Sequence, residues 1–515
     1  MERPNAPDPK VAYAALRARD RRFDGTFFVG VSTTGVYCRP ICPARLPRFE
    51  RCSFYRTAAE AEREGFRACF RCRPELAPED ATFAPVGSAA AVDASPDIAA
   101  RARLRIDEGA LDDGSVDTLA GELGVTARHL RRVVLAAFGV TPSELAGTRR
   151  IALAKRLLQD SSLSITEVAF ASGFASLRRF NAHFRTVFDR APSDVRRVAE
   201  RGGGSTGRAV TLRLDYRPPF AWDALLAFFA SRQVGSIECV DGATFARVLR
   251  VGDATGVVRV SHDAARSRLV VDLAPSLAPR VATLVPLLRA AFDLDARPTE
   301  IDAHLATDPL LARSVRRAPG LRLPGAFDPF EIVVRAIGGQ RISVAAATTL
   351  VARFVAAFGD AVAHDPRAPS LSHAFPTPSR VASATPSDIA ALGLPVDRAR
   401  TIVAVAQRFA RGALVLRRHA PLVETSSMLE SVPGIGPWTA SYVALRATGH
   451  PDAFLPSDLV VRRALDVPTP AAASTRAEPW APWRSYAVLH LWRLHAETNA
   501  AARKSPRRHS QEESP

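Results

Sequence analysis

The sequence predicts a multidomain α+β protein with four folded units. Its 515 residues exceed what a single hydrophobic core organises, so the chain is expected to divide into several domains. Two stretches have the composition of linkers: residues 84–97 are rich in Ala, Pro and Ser, and residues 200–209 contain a run of glycines. Residues 98–198 and the stretch after Phe330 have helical patterns, whereas strand-like segments occur between residues 211 and 273, so the units are expected to differ in architecture.

The composition indicates a polyanionic partner. The formal net charge is +17, the isoelectric point lies near 10.6, and arginine supplies almost all of the basic residues. Guanidinium groups bind phosphate well, although a solvated basic surface would give the same composition. No apolar run approaches the length of a membrane span, and the first residues lack the apolar core of a signal peptide. We therefore expect a cytoplasmic protein with no membrane partner.

The first unit contains two closely spaced cysteine pairs. Four of the six cysteines form these pairs, namely Cys38, Cys42, Cys69 and Cys72. Cys52 and Cys239 lie outside the pattern. In a reducing compartment such pairs are typical of a Zn²⁺ site, because each pair supplies two sulfur ligands to a tetrahedral ion. A purely structural zinc knuckle is the alternative to a reactive site.

The residues around these cysteines resemble the amino-terminal domain of the Ada-type methylphosphotriester repair proteins. The matching motifs are DGTF at 24–27, TTGVYCRP at 33–40, SFY at 53–55 and GFRACFRC at 65–72. The resemblance implies that Cys38 is a zinc ligand that also attacks a methyl group on a DNA phosphate. A zinc-bound thiolate remains nucleophilic toward an alkyl carbon. Methylation would remove one negative charge, so the affinity for DNA is expected to rise. Methylation of Cys38 would then act as a switch.

Residues 98–198 read as two related helical halves. Each half contains an apolar helix, a turn with a glycine, and a basic helix that begins after a hydroxyl residue suited to capping. A helix opened by Pro142 or Pro192 closes each half. The pattern resembles the twin helix-turn-helix domain of AraC-type transcription factors, with Asp189 at a position where that family usually keeps glycine.

This second resemblance implies contacts with operator DNA. The candidates for base or phosphate contact are polar residues of the two basic helices: Arg128, Arg132, Arg178, Arg179 and Asn181. The alternative is that these side chains only solvate the surface of a helical bundle. An activator of this type would also have RNA polymerase as a partner.

Residues 208–300 read as a small antiparallel α+β unit. Strands are expected at residues 211–216, 245–251, 256–261 and 268–273, and helices at 222–232 and 281–292. From Phe330 onward the sequence predicts a wholly helical fold in which Pro and Gly mark short connections.

The most informative stretch is residues 432–458. A Gly434-Ile435-Gly436 turn between two helix-forming segments aims several backbone N–H groups at one point, which suits a phosphate. Asp458 follows about five helical turns later. A tight turn and a helix N-cap are the alternative roles of these glycines and of Asp458, and nearby tryptophans often belong to a core.

This stretch resembles the helix-hairpin-helix DNA glycosylases of the 3-methyladenine DNA glycosylase II (AlkA) type, and the resemblance runs from residue 208 to 496. It implies that Asp458 is the catalytic carboxylate and that three aromatic residues bind an extracted base, namely Trp438, Tyr442 and Trp492. It also implies DNA contacts from the hairpin and from segment 336–344, namely by Gly434, Gly436, Gln340 and Arg341.

Several differences from relatives refine this expectation. Arg341 stands where the best-known members have an apolar wedge that fills the gap left by the base. Trp438 occupies the position of the nucleophilic lysine in relatives that also cut the strand, so we expect hydrolysis without an imine or lyase step. No cysteine follows Cys239, so an iron–sulfur cluster is not expected. The Pro-Cys-His-Arg motif of alkylguanine transferases is also absent from the sequence.

The predicted units and boundaries follow. They are a small zinc-bound α/β methyl-acceptor domain at 1–83, an all-α twin helix-turn-helix domain at 97–200, a small antiparallel α+β domain at 208–300, an all-α helix-hairpin-helix glycosylase domain at 301–498, and a disordered tail at 499–515.

We expect a monomeric, nucleoid-associated protein that acts on double-stranded DNA, both alkylated DNA and operator DNA. It would excise alkylated purines as a monofunctional glycosylase and accept methyl groups stoichiometrically. The alternative is a transcription regulator whose glycosylase-like half only binds or senses DNA.

Overall fold

The computed structural model describes residues 7–79, 95–161, 163–201, 210–418 and 420–504. Most of both predicted linkers, at 84–97 and 200–209, lies outside these residues. In the described part of the chain, no helix combines the length and the apolar character that crossing a membrane requires.

The amino-terminal unit, here called the cysteine domain, is a small α/β structure. Its elements are α1 (Pro9–Ala18), β1 (Phe28–Val31), β2 (Val36–Cys38), β3 (Cys52–Tyr55), α2 (Ala58–Arg63) and β4 (Arg67–Ala68). The sheet has the order β3-β1-β2-β4, and β2 pairs parallel with β4 while the other pairs are antiparallel. Alternate strand residues pack on opposite faces, with Phe28 in one core cluster and Val29 in another. This architecture agrees with the fold class predicted from the sequence.

The second unit is helical throughout its described residues. Its helices are α3 (Ser95–Asp107), α4 (Val116–Glu122), α5 (Ala127–Phe138), α6 (Pro142–Asp160), α7 (Ile165–Ala171), α8 (Leu177–Phe188) and α9 (Pro192–Arg201). The two basic helices are α5 and α8, and the side chains of their N-caps, Thr126 and Ser176, each accept a hydrogen bond from the backbone N–H three residues later. The twin helix-turn-helix prediction is confirmed.

Asp189 shows why the family prefers glycine there. It ends α8 with a φ of 53°, just as Gly139 ends α5 with a φ of 71°. A left-handed backbone costs an ordinary L-residue roughly 1 kcal/mol, and aspartate tolerates it better than most because its short side chain can hydrogen-bond locally. The departure from the pattern therefore preserves the helix ending.

The third unit, here called the sheet domain, contains a five-stranded antiparallel sheet of order β5-β9-β8-β7-β6. Its elements are β5 (Val210–Asp215), α10 (Trp222–Ala230), β6 (Glu238–Asp241), β7 (Thr244–Val251), β8 (Ala254–Asp263), β9 (Arg268–Leu273) and α11 (Val281–Ala291). The sequence predicted four of these strands and missed β6, a short edge strand in which only Glu238 is fully buried. An edge strand of this length has no clear alternation of polar and apolar residues.

The last unit, here called the hairpin domain, is mainly helical. Its helices are α12 (Pro298–Leu305), α13 (Pro309–Arg317), α14 (Pro329–Gly338), α15 (Val344–Phe358), α16 (Pro378–Ala382), α17 (Pro386–Ala390), α18 (Val396–Ala410), α19 (Leu422–Glu430), α20 (Pro437–Ala447), α21 (Leu459–Leu465), α22 (Pro470–Ala477) and α23 (Arg484–Lys504). Helix α12 lies across the predicted boundary at residue 300. Its Ile301 packs in one core with Leu311 of α13 and Leu489 of α23.

Two expectations for this region need correction. The stretch after Phe330 is not wholly helical, because β10 (Asp360–Ala361) pairs antiparallel with β11 (His373–Ala374). Such two-residue strands are too short to produce a periodic pattern. The tail predicted to be disordered from residue 499 is helical as far as Lys504, because α23 continues to that residue. Residues 505–515 lie outside the described residues.

A buried arginine joins the cysteine domain to the sheet domain. Arg39 follows directly after Cys38 and is 2% exposed. Its Nε donates to Asp24 Oδ1 at 2.8 Å, and its Nη1 donates to Asp215 Oδ2 at 2.8 Å. Asp215 is the last residue of β5, so a single guanidinium connects the segment that carries Cys38 with the first strand of the sheet domain.

Replacing Arg39 by methionine is expected to lower the free energy of unfolding by about 3 kcal/mol, because Asp24 would then lack the guanidinium that compensates it and Asp215 would keep only its ion pair with Arg268. Urea unfolding of the whole chain, followed by circular dichroism, measures the loss. Arg22→Met is the matched control, since the Arg22 side chain is 63% exposed and its ion pair with Asp20 contributes little. Equal effects of the two substitutions would show that the buried cluster does not stabilise the fold.

Candidate functional site

A cavity of about 1280 Å³ opens between the hairpin domain and the sheet domain. Its rim is formed by the loop between α14 and α15, by the turn between α19 and α20, and by the start of α21. The eight residues that the sequence predicted for catalysis, base binding and DNA contact in this half of the chain all line it. The fold therefore brings together side chains and backbone groups that are far apart in the sequence.

Asp458 lies at the wall of this cavity and also caps α21. Its Oδ1 accepts hydrogen bonds from the backbone N–H groups of Val460 and Val461, both at 3.0 Å. The same oxygen accepts from Trp492 Nε1 at 3.3 Å, and Oδ2 accepts from Trp438 Nε1 at 2.9 Å. The side chain is 9% exposed. The N-cap interpretation is thus confirmed, and the same hydrogen bonds fix the carboxylate beside two indole rings.

Aromatic rings form one side of the cavity. Trp438 and Tyr442 stack with centroids 5.3 Å apart and planes 18° apart, and Tyr442 lies 6.2 Å from Trp492. All three side chains are half-buried, which leaves part of each ring accessible from the cavity. Phe228 stacks on Trp492 at 6.5 Å and was not predicted, because it belongs to the sheet domain.

Two other tryptophans, Trp222 and Trp480, belong to the hydrophobic core. Trp222 is 4% exposed and Trp480 is 1% exposed, and both lie within core clusters. The indole N–H of Trp480 donates to Asp308 Oδ2 at 2.8 Å. For these two residues the core interpretation is correct.

The hairpin turn depends on one glycine. Gly434 has a φ of 92°, and a Cβ at this position would collide with the side chain of Thr401. Gly436 is the N-cap of α20 and has open space where a Cβ would lie. Pro437 follows at the first helical position, where a missing N–H costs nothing. The two glycines therefore have different roles: the first allows the turn, and the second begins the helix.

The loop between α14 and α15 is tied to this turn. Gln340 donates from Nε2 to Thr439 Oγ1 at 2.9 Å and to the Gly434 carbonyl oxygen at 3.4 Å. Arg341 is exposed at the loop tip with a φ of 57°, and its neighbour Ile342 is 38% exposed. The Gln340 amide nitrogen is thus already used within the protein, whereas Arg341 extends from the rim.

The sequence did not predict two arginines that lie at the floor of the cavity. Arg446 Nη1 donates to the Tyr442 hydroxyl at 3.0 Å, and the guanidinium carbons of Arg446 and Arg232 lie 4.7 and 3.9 Å from the Phe228 ring centroid. Burial would raise the pKa of Tyr442, but the charges of Arg446 and Arg232 and the hydrogen bond from Arg446 outweigh it and hold this pKa below its ordinary value. The i to i+4 spacing of Tyr442 and Arg446 on one helix was the only available signal.

A separate candidate metal centre lies in the cysteine domain. The sulfur atoms of Cys38, Cys42, Cys69 and Cys72 all lie within 4.8 Å of one another. The backbone N–H of Arg39 donates to Cys72 Sγ at 3.4 Å. A second cavity of about 310 Å³ opens beside Cys38 and is also lined by Arg45. Four clustered thiols match the donor set of a tetrahedral metal ion, while Cys52 and Cys239 lie elsewhere, in β3 and β6.

The predicted operator contacts lie on two helices. Arg128 and Arg132 are exposed on α5, and Arg178 and Arg179 are exposed on α8. Asn181 is half-buried on α8. On α8 the opposite face packs into the core through its buried residues, namely Phe180, Phe184 and Phe188. Both helices therefore present their arginines to solvent, as a major-groove helix requires.

Four family models match the chain in order. The metal binding domain of Ada matches residues 11–75, and a helix-turn-helix domain matches residues 119–198. The AlkA N-terminal domain matches residues 211–328, and the HhH-GPD superfamily of base excision DNA repair proteins matches residues 334–468.

Known relatives share the same organisation or parts of it. The DNA-3-methyladenine glycosylase 2 of Escherichia coli is 39% identical over 54% of this chain and 95% of its own length. The Ada protein of Escherichia coli, a bifunctional transcriptional activator and DNA repair enzyme, is 35% identical over 25% of this chain and 33% of its own length. A probable bifunctional transcriptional activator/DNA repair enzyme AlkA of Mycobacterium tuberculosis is 40% identical over 93% of this chain and 95% of its own length. This chain therefore belongs to the family of bifunctional AlkA proteins, in which an Ada-type metal-binding domain and a helix-turn-helix domain precede an AlkA-type glycosylase.

Proposed function

We propose that this protein excises alkylated purines from DNA by hydrolysis and also takes methyl groups from DNA phosphotriesters onto Cys38. The observation that carries the first activity is the position of Asp458. Its carboxylate is fixed beside the rings of Trp438 and Trp492 at the wall of the cavity of about 1280 Å³, which we propose to receive the extracted base. Base removal needs this combination, because the base must leave the stack and the sugar must carry positive charge as the bond breaks.

Each group of the cavity has a role in this reaction. The accessible faces of Trp438, Tyr442 and Trp492 stack on the extracted base, and each face attracts a cationic base by about 1 to 2 kcal/mol when desolvated. Asp458 stabilises the cationic sugar and orients a water molecule toward it. Gly434 and Gly436 present backbone N–H groups to a phosphate of the kinked strand, and Arg341 reaches from the rim toward the gap left by the base.

The proposed excision proceeds without strand cleavage. An imine intermediate requires a primary amine next to the sugar. None of the described residues that line the cavity is a lysine, and Lys155 is buried in an ion pair with Glu75. Water is therefore the proposed nucleophile, and the glycosylase activity is proposed to be monofunctional.

The second activity rests on the four clustered thiols, which we propose to hold Zn²⁺. The bound ion would keep the sulfur atoms deprotonated at neutral pH. Cys38 Sγ forms a bond to the methyl carbon, and the bond between that carbon and the phosphate oxygen breaks with its electrons on the oxygen. The product is a thioether and an ordinary phosphodiester. Since the thiolate is consumed, each protein molecule accepts one methyl group.

We further propose that methylation controls transcription through the exposed arginines of α5 and α8. A thioether at Cys38 removes one negative charge, so repulsion from operator phosphates falls. Such an activator acts as a monomer on nucleoid DNA in the cytoplasm and contacts RNA polymerase. Its sequence preference comes from Arg128, Arg132, Arg178, Arg179 and Asn181.

One experiment tests both activities together. The protein is incubated with duplex DNA that carries isotopically labelled methyl groups, and the released bases, the label retained on protein and the bound zinc are measured. We expect release of 3-methyladenine, up to one methyl group per protein molecule, and one zinc ion per molecule. Borohydride is expected to trap no protein–DNA adduct. Binding of the DNA without base release would instead support the regulator that only senses DNA.

A further inference from the structure

The floor of the base cavity carries positive charge that the protein does not neutralise. Arg232, just after α10, and Arg446, on α20, both line the cavity that contains Asp458. Arg446 is 6% exposed, and burial lowers the pKa of Arg232. Both guanidinium groups also lie against the Phe228 ring, at 3.9 Å for Arg232 and 4.7 Å for Arg446.

Neither arginine has a carboxylate partner among the described residues. Arg446 donates from Nη1 to the Tyr442 hydroxyl at 3.0 Å and from Nε to the Pro324 carbonyl oxygen. Arg232 donates from Nη1 to Ser231 Oγ at 2.7 Å and to the Phe228 carbonyl oxygen at 3.4 Å. These acceptors are neutral groups, so both positive charges remain.

The nearby carboxylates are used by other arginines. Glu238 pairs with Arg335 at 2.6 Å, and Glu331 pairs with Arg335 at 2.7 Å. Arg247 forms ion pairs with the same two glutamates. This buried cluster of two cations and two anions balances itself. Asp458, the other carboxylate that lines the cavity, accepts its hydrogen bonds from two indoles and from the backbone of α21, and it forms no ion pair with Arg232 or Arg446 among the described residues. An uncompensated buried charge is costly, and a ligand that carries negative charge relieves that cost.

We propose that Arg232 and Arg446 are specificity-determining residues that favour bases departing with negative charge. The inference rests on the proposed glycosylase function. When the bond between C1′ and the base nitrogen breaks, its electron pair stays on the nitrogen. A cationic alkylated base then leaves as a neutral molecule, whereas a neutral base leaves as an anion. In both cases the water oxygen bonds to C1′ and releases a proton. That proton neutralises the departed anion when the base was neutral, and it passes to solvent when the base was cationic.

Positive charge at the cavity floor has opposite effects on the release of cationic bases and of neutral bases. Positive charge there repels a cationic base in the ground state and stabilises the anion that forms from a neutral one. A guanidinium N–H also donates to a carbonyl oxygen on the base, and such a charge-assisted hydrogen bond strengthens as the oxygen gains charge. The aromatic walls favour cations by contrast. The floor therefore extends the cavity toward neutral, carbonyl-bearing bases.

Arg232→Gln in the full-length protein tests this inference, because glutamine keeps polar contacts and removes the charge. Single-turnover release is measured from one duplex with a neutral hypoxanthine and from another with a cationic 7-methylguanine. We expect the hypoxanthine rate to fall about 100-fold and the 7-methylguanine rate to stay equal or rise. Arg232→Lys, which keeps the charge, is expected to restore most of the hypoxanthine rate. Arg380→Gln, an exposed arginine outside the cavity, controls for the loss of overall charge.

The outcomes separate the possible failures. Equal losses on both substrates would show that Arg232 only supports the structure, and unchanged rates would show that its charge is irrelevant. Either result overturns the inference. If Arg232→Lys releases hypoxanthine as slowly as Arg232→Gln, then the shape of the Arg232 side chain and not its charge determines the rate, and the inference again fails. Absence of release by the unmodified protein from both duplexes would refute the proposed function itself, and the selectivity with it.

Discussion

Substitution of Asp458 by asparagine is expected to slow base release about 1000-fold, because a neutral amide does not stabilise the positive charge that develops on the sugar. The carboxylate is held in place by the indole N–H groups of Trp438 and Trp492. In the variant, an amide nitrogen placed at either oxygen position would face a donor, so one of these hydrogen bonds is lost as well. Damaged DNA is still expected to bind, since the hairpin and the aromatic walls are unchanged.

The capping role of Asp458 makes the choice of substitution important. Asparagine is about as good an N-cap as aspartate, whereas alanine at an N-cap typically costs about 1 kcal/mol. Asp458→Asn is therefore expected to unfold in urea like the unmodified protein, and Asp458→Ala to unfold earlier. Both are expected to be equally inactive. If Asp458→Ala lost much more activity than Asp458→Asn, in parallel with its larger loss of stability, Asp458 would act only through the fold.

The rate is measured as release of 3-methyladenine under single-turnover conditions with protein in excess. Asp466→Asn is the matched control: Asp466 is exposed, ends α21 in the left-handed region and lies outside the cavity. It removes the same charge from the same helix, and its activity is expected to stay unchanged. Retention of fast release by Asp458→Asn would refute the catalytic role.

The sequence predicted the chemical groups of each site because those groups follow local patterns. Two short-spaced cysteine pairs were enough to predict four clustered thiols, since two ligands from each pair complete a tetrahedron. The Gly434 turn and the acid after it likewise follow from local rules on left-handed backbone and helix capping. For Asp458 those rules raised two competing interpretations, and the structure shows that capping and facing the cavity are compatible.

Contacts between distant segments left no local pattern. Arg39 meets Asp215 across 176 residues, and nothing near either residue indicates the other. Arg232 and Arg446 converge on Phe228 from the ends of two helices in different domains. Tertiary packing alone decides which charges are compensated, and an arginine-rich sequence offers many equivalent pairings. The excess charge at the cavity floor therefore became visible only in three dimensions.

Substitution of Cys38 by alanine is expected to abolish methyl transfer from DNA phosphotriesters completely, because the acceptor atom is removed. Cys38 ends β2 and lines the cavity of about 310 Å³ beside the cysteine cluster, where a phosphate methyl group can approach. The label retained on protein after incubation with methylated DNA measures the loss. Bound zinc and circular dichroism report whether the cysteine domain still folds, and Cys38→Ser provides a second variant with a more similar side chain.

Cys52→Ala is the matched control for this substitution. Burial and the charge of Glu50 raise the pKa of Cys52 to about 11, so its sulfur is a protonated, weakly nucleophilic thiol at neutral pH. Its Sγ donates to the Arg48 carbonyl oxygen at 3.3 Å and lies outside the cysteine cluster. Methyl uptake by Cys52→Ala is expected to be normal. Continued labelling of Cys38→Ala would mean that another residue accepts the methyl group.

The same variant tests whether the two activities are separable. Cys38 and Asp458 lie in different domains and line different cavities, so Cys38→Ala is expected to release 3-methyladenine at the normal rate. Arg39, the residue after Cys38, joins the cysteine domain to the sheet domain, and the sheet domain supplies Phe228 to the base cavity. Slower release by Cys38→Ala with the metal still bound would therefore mean that this buried connection transmits changes between the sites. Unchanged release would establish two independent repair activities on one chain.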